Sequence, residues 1–198
     1  LLYATWFAGA AVVPINYKLH AREAAWIIEN AEAKAIFLSD EAATEIVPLL
    51  GGSAKAISVD SKDFAELRRA NPLTWPVRRE RDDLAWLFYT SGTTGKPKGV
   101  MISNGNLHAM TFSYFVDVDE VHPTDAVVYA APMSHGAGLY NFMHILRGAR
   151  HVIPESGGFE PDEILALGRT LDGVSMLAAP TMVRRLVDWA KAKGSNGD

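Results

Sequence analysis

Near the middle of the chain, Tyr89-Thr90-Ser91-Gly92-Thr93-Thr94-Gly95-Lys96-Pro97-Lys98-Gly99 gathers glycines, aliphatic hydroxyls and two lysines. Glycine lets a backbone turn sharply and bring its N–H groups close to a ligand. Thr90, Ser91, Thr93 and Thr94 add hydroxyl donors, and Lys96 and Lys98 add positive charge. This is the chemistry of an anion site, and so many donors suit a polyphosphate. Glycine and threonine alone would leave a plain flexible turn open. The helix-opening phosphate loop, G-x-x-x-x-G-K-[ST], does not fit. The residue five before Gly95 is Thr90, and Lys96 precedes a proline. Pro97 lacks an N–H and pushes Lys96 toward extended geometry. The order predicted is strand, loop, strand.

A second stretch is Pro132-Met133-Ser134-His135-Gly136-Ala137-Gly138. Of the six histidines, only His135 lies in a glycine-rich turn between an expected strand and an expected helix. Taken alone, such a histidine is a surface or packing residue. Other chemistries find little support. There is no H-E-x-x-H, and Ser134 is not in G-x-S-x-G. Met176 and Met182 sit in apolar patterns as core residues, and Asp162 and Glu163 are helix-start charges.

The elements around these stretches follow from periodicity. Ala24, Ile27, Ile28 and Ala31 recur at helical spacing, which predicts a helix over 21–30. Helices are also expected over 1–8, 41–50, 63–70 and 181–193. Others carry Leu107, Met110 and Tyr114 behind a Ser103 or Asn104 cap; Leu139, Phe142, Met143 and Leu146; and Ile164, Leu167 and Leu171 behind Pro161. Apolar runs at 35–38, 56–59, 84–88, 100–103, 126–131, 151–153 and 175–179 read as strands, and 11–15 as an extended lead. Runs apolar throughout are buried on both faces, and alternation with helices indicates a layered, mostly parallel α/β sheet. Ligands of such sheets bind beyond the carboxyl ends of the strands.

The eleven-residue string closely resembles the phosphate-binding signature of the adenylate-forming (AMP-binding) enzymes: acyl-CoA synthetases, peptide-synthetase adenylation domains and luciferases. Gly9-Ala10-Ala11-Val12-Val13-Pro14-Ile15-Asn16 is similar to the family's upstream stretch. Phe159-Glu160-Pro161-Asp162-Glu163-Ile164-Leu165 and Ala179-Pro180-Thr181-Met182 are similar to its downstream helix and strand end. The strand, His-Gly-x-Gly, helix order at His135 resembles the segment that lines the acyl pocket. The likeness leans toward acyl-CoA synthetases, particularly fatty-acid ligases.

The resemblance implies part of the large N-terminal domain of an acyl-CoA synthetase-like fold, over residues 1–193, with a linker near 71–83. It implies ATP, Mg²⁺ and coenzyme A, and activation of a carboxylic acid, a fatty acid where the likeness leans, as an acyl-adenylate. Thr90, Ser91, Gly92, Thr93, Thr94, Gly95, Lys96 and Lys98 would hold the phosphates, with Thr90 also near the metal. His135 and Gly136 would lie beside the acid, either at its carboxylate or gating its tunnel. No catalytic residue is assigned within the chain. The family's histidine or arginine near Asn104-Gly105 is missing here, which bears on the helix cap. Two alternatives stand beside this reading: an adenylation domain loading a carrier-protein thiol, and a non-catalytic nucleotide-binding module.

Composition sets outer bounds. The chain has 198 residues, 48% of them hydrophobic, enough for a sizeable core. A net charge of −4 argues against general nucleic-acid binding. Arg78-Arg79-Glu80-Arg81-Asp82-Asp83 reads as a solvated mixed-charge run. No cysteine is present, so disulfides and a cysteine nucleophile are excluded. The apolar start is too short to span a bilayer and lacks a signal peptide's basic head, and a cytoplasmic setting is expected. The chain opens on Leu1 inside an apolar run, as an excised fragment would, with a polar tail over 194–198. The family's later nucleotide and metal motifs and its C-terminal lid domain are expected beyond residue 198, so the fragment alone is expected to be inactive. Oligomeric state, including a homodimer, is open.

Overall fold

The computed structural model describes residues 1–52, 54–90 and 97–194. They form two units, Leu1–Asn106 and Leu107–Asp198.

The first unit begins with α1 (Leu2–Phe7) and α2 (Ala21–Asn30). The His20 side chain accepts from the Arg22 N–H at 3.2 Å and caps α2, which buries Ala24, Ala25, Ile27 and Ile28. β1 (Ala35–Leu38) leads to α3 (Asp40–Ile46), capped where the Ser39 hydroxyl accepts from Ala42 N–H. The sequence predicts one helix over 41–50. Instead α3 tightens into a 3₁₀ turn, Val47–Leu49, around Pro48, which has no N–H to continue the α ladder. β2 (Lys55–Ser58) pairs with β1 in parallel, and α4 (Lys62–Leu67) follows behind a Ser61 cap.

β3 (Leu84–Thr90) and β4 (Lys98–Ser103) form an antiparallel hairpin. Val12 runs beside Trp86, and its C=O accepts from Leu87 N–H at 2.9 Å. Trp6 reaches across from α1 and donates its indole N–H to the Ala85 carbonyl at 2.8 Å. Trp86 is fully buried, and its own indole N–H has no hydrogen-bond partner among the described residues.

α5 (Asn104–Asp117) starts with a reciprocal cap. The Ser103 hydroxyl accepts from Asn106 N–H at 3.2 Å, while the Asn106 side-chain oxygen accepts from Ser103 N–H at 3.0 Å. Ser103 is therefore the cap. The connector before β3 is exposed, yet its end docks here. Gly105 N–H donates to Arg81 C=O at 2.7 Å, and the Asn104 amide donates to Glu80 C=O at 3.0 Å.

In the second unit come β5 (Ala126–Val128), α6 (Gly136–Leu139), α7 (Phe142–Arg147) and β6 (Arg150–Val152). They are followed by α8 (Pro161–Thr170), β7 (Val174–Ser175) and α9 (Pro180–Ala192). The strands order as β6-β5-β7, all parallel. Val128, Ala130, Phe159 and Ile164 form a core with Leu167, Leu171, Met176, Met182 and Leu186 against it. Met176 and Met182 are thus packing residues. Asp162 and Glu163 do more than start a helix. Asp162 accepts the Trp189 indole N–H at 2.9 Å, which ties α9 to α8, and Glu163 accepts from Glu155 and Ser156 N–H.

The α/β organisation, mostly parallel strands flanked by helices, matches the expectation, with one antiparallel hairpin. Two expected strands are shorter. β5 ends at Val128, although Tyr129 N–H still donates to Val152 C=O, and β7 holds only two residues. No described helix is long and apolar enough to cross a membrane.

Candidate functional site

The hairpin carries the first candidate. Its ladder pairs Tyr89 with Gly99 and Thr90 with Lys98. Thr90 and Lys98 are therefore strand residues rather than loop residues, which narrows the connecting segment. Ser91, Gly92, Thr93, Thr94, Gly95 and Lys96 lie outside the described residues. Successive strand residues face opposite sides, and directly opposed residues share a side. So Thr90 and Lys98 stand together on one face, both exposed, while buried Tyr89 points to the other. A cation and a hydroxyl side by side are what a phosphate group needs: a charge-assisted donor and a neutral one.

Tyr89 is the residue that the sequence reading left without a role. A Cβ placed on Gly99 would sit 3.0 Å from the Tyr89 ring carbon Cζ, so Gly99 makes room for that ring. The phenol donates to Asn30 Oδ1, in the last turn of α2, at 2.7 Å. Burial raises its pKa above the ordinary 10.0, so the donor proton stays on. Trp26 meets the ring edge-on, with centroids 6.3 Å apart. In the structure Gly99 lies inside β4, where a glycine marks a close approach, but the sequence places it in the string ahead of a strand at 100–103, so nothing there singles out Tyr89.

The second candidate is the turn after β5, at the carboxyl end of the parallel sheet. His135 N–H donates to Pro132 C=O at 3.1 Å, and Gly138 N–H donates to His135 C=O at 2.8 Å. The buried Asn141 amide donates to the Gly138 carbonyl and breaks the expected single helix into α6 and α7. A Cβ on Gly138 would overlap the Met133 carbonyl oxygen, so only glycine fits there. His135 is held exposed on this turn, its Nδ1 3.2 Å from the Ser134 carbonyl oxygen. Gly136 lies against Leu177, just past β7, where a Cβ would meet Leu177 Cδ2 at 3.0 Å. The turn thus borders the ends of two strands. Asn141 and Gly138 were not singled out from the sequence.

Beneath the turn, Ala137 packs with Val127 and Tyr129. The Tyr129 hydroxyl is 2.7 Å from His151 Nδ1, and the two rings stack at 5.7 Å. His144 meets His151 edge-on, with its Nδ1 bonded to Tyr140 C=O at 3.0 Å and its Nε2 buried without a partner among the described residues. Burial first, and then the neighbouring His144, push the His151 pKa below the usual imidazole value.

No group of three or more acidic or histidine side chains gathers as metal ligands among the described residues. Thr90 is the described residue of the phosphate-loop candidate that could give Mg²⁺ an oxygen. Magnesium typically keeps several waters and substrate phosphate oxygens, so a single hydroxyl is compatible with it.

The AMP-binding enzyme model matches residues 1–197. The chain belongs to the AMP-binding enzyme family. Within the family it is 29% identical to the feruloyl-CoA synthase of an Amycolatopsis species, over 93% of this chain and 36% of that protein. It is 33% identical to tyrocidine synthase 1 of Brevibacillus parabrevis, over 72% of this chain and 13% of that one. Its fold superposes on ATP-bound MatB from Rhodopseudomonas palustris with a TM-score of 0.82 at 27% identity, covering 94% of this chain and 38% of MatB. The chain therefore spans well under half the length of these AMP-binding relatives.

Proposed function

We propose that this chain holds the phosphates of ATP, and one side of the acid site, in an ATP-dependent carboxylate–CoA ligase. The observation that carries the reading is the Thr90–Lys98 rung, which sets a hydroxyl and an ammonium side by side at the foot of the glycine- and hydroxyl-rich string. A carboxylate oxygen attacks the α-phosphorus, the bond to the α,β-bridging oxygen breaks, and pyrophosphate leaves. The thiol sulfur of coenzyme A then attacks the acyl carbon, loses its proton and expels AMP.

In the first step negative charge grows on the departing pyrophosphate. Lys98 supplies a fixed positive charge there, and Thr90 a hydroxyl that donates to a phosphate oxygen or faces Mg²⁺. Bound Mg²⁺ would supply further charge neutralisation on the phosphates. The remaining residues of the string, Ser91 to Lys96, belong to the same role. On the other unit, the His135–Gly136 turn is assigned to the acid, by our reading a fatty acid, with His135 beside its carboxylate. A cytoplasmic setting, and inactivity of the 198-residue chain by itself, belong to the same proposal.

The test is ATP–pyrophosphate exchange in the complete polypeptide with a panel of organic acids. Replacing residues 90–98 with a glycine–serine linker should abolish ATP binding and exchange; intact ATP binding would end the reading. Similarity to tyrocidine synthase 1 favours one other version, a domain that loads a carrier-protein thiol. Thioester formation on a carrier protein and not on coenzyme A would select it.

A further inference from the structure

We propose that the Tyr89–Asn30 hydrogen bond is a positioning device for the phosphate contact, tying the end of the hairpin to α2 and so fixing where Lys98 stands. The inference rests on the reading of Lys98 as a phosphate ligand.

One side chain joins three elements. Tyr89 belongs to β3, its ring occupies the space above Gly99 of β4, and its hydroxyl is held by Asn30 at 2.7 Å in the last turn of α2. The ring is nearly buried, at 8% exposure, and Trp26 of the same helix closes its edge. The next rung outward is Thr90 with Lys98, both exposed. Ladder ends open at low cost unless something beyond the ladder holds them. Here that hold is immediately behind the rung that carries the charge. Neither Tyr89 nor Asn30 reaches the Thr90–Lys98 face, since Tyr89 points to the opposite side of the strand. They act through Lys98, as positioning residues.

Loss of the hydrogen bond should widen the positions open to the Lys98 ammonium and weaken ATP more than the acid. For the complete polypeptide, titration with Mg²⁺–ATP should give a Kd raised roughly fivefold in Tyr89→Phe, the effect expected of one hydrogen bond. Asn30→Ala should do the same, and the double variant should be no worse than either single one, because both remove one interaction. Asn30→Asp keeps an acceptor and should retain near-normal ATP affinity. KM for the acid should stay unchanged throughout. A merely structural role would lower the melting temperature without this split between substrates.

ATP affinity unchanged in both single variants would overturn the proposal, as would an equal rise in KM for ATP and acid. Lys98→Ala measured alongside separates the two readings. If Lys98→Ala leaves ATP affinity untouched, the phosphate assignment itself fails. If Lys98→Ala weakens ATP and Tyr89→Phe does not, only the positioning role fails.

Discussion

Thr90 and Lys98 are cross-strand partners one step beyond the Tyr89–Gly99 pair, so the hydroxyl and the ammonium share a face that the tyrosine does not. Removing the ammonium should therefore cost binding and little else. Lys98→Ala is expected to weaken ATP by about 10- to 100-fold, the range for a hydrogen bond to a charged group. Being exposed, the site should keep stability within about 0.5 kcal/mol of the parent. Calorimetric titration with Mg²⁺–ATP and a denaturant melt check the two halves separately.

Gly99 is the counterpart on β4. A Cβ there would lie 3.0 Å from Tyr89 Cζ and 3.3 Å from both Cε atoms, so the ring would have to give way. Gly99→Val should cost about 1–3 kcal/mol by overpacking, read from urea unfolding. It should also weaken ATP, because the displaced ring loses Asn30.

At the other candidate, Gly138 lies on the Met133 carbonyl oxygen, which is backbone and cannot swing aside. Gly138→Ala should open the turn that holds His135, raising KM for the acid and destabilising the fold by about 1–3 kcal/mol. Steady-state kinetics with the acid varied, set beside a thermal melt, give both readouts.

The family, the strands flanking the glycine- and hydroxyl-rich string and the mostly parallel α/β organisation were legible because each rests on local chemistry: glycine, hydroxyl, lysine, and apolar runs of strand length. Less local features were not. Pro48 and Asn141 interrupt helices that the apolar pattern reads as continuous, one by a missing N–H and one by capturing the Gly138 carbonyl. Tyr89 looked like one more motif residue because its partner, Asn30, is 59 positions away. Ser103 and Asn104 were equal candidates for the α5 cap, and only the reciprocal bond with Asn106 chooses Ser103. Ser91 to Lys96 lie outside the described residues, and the phosphate assignment of the whole string, Thr90 and Lys98 included, is a proposal.

His151 links stability to pH. His151 is exposed on β6 as a residue, yet partial burial of its ring and then His144 hold its pKa below the ordinary 6.5. The unfolded chain therefore takes up a proton near pH ~6.5 that the folded chain refuses until lower pH. The stabilisation is fully present above that value and is lost as pH falls through the folded pKa. Melting temperature should drop from pH ~7.5 to ~5.5 by an amount that His151→Phe reduces. An identical pH profile in the variant would assign the drop to other groups.

The size contrast across the Tyr89–Gly99 pair also polices the hairpin's phase. Insert one residue between Gly99 and Val100 in β4, with the rest of the strand held in register, and a bulky side chain falls under the tyrosine ring while the lysine turns to the wrong side of the ribbon. Homologous chains, or engineered ones, should tolerate changes in the length of the segment between the two strands far better than a frame shift inside the strand. A hydrogen atom at position 99 is the gauge that keeps the register.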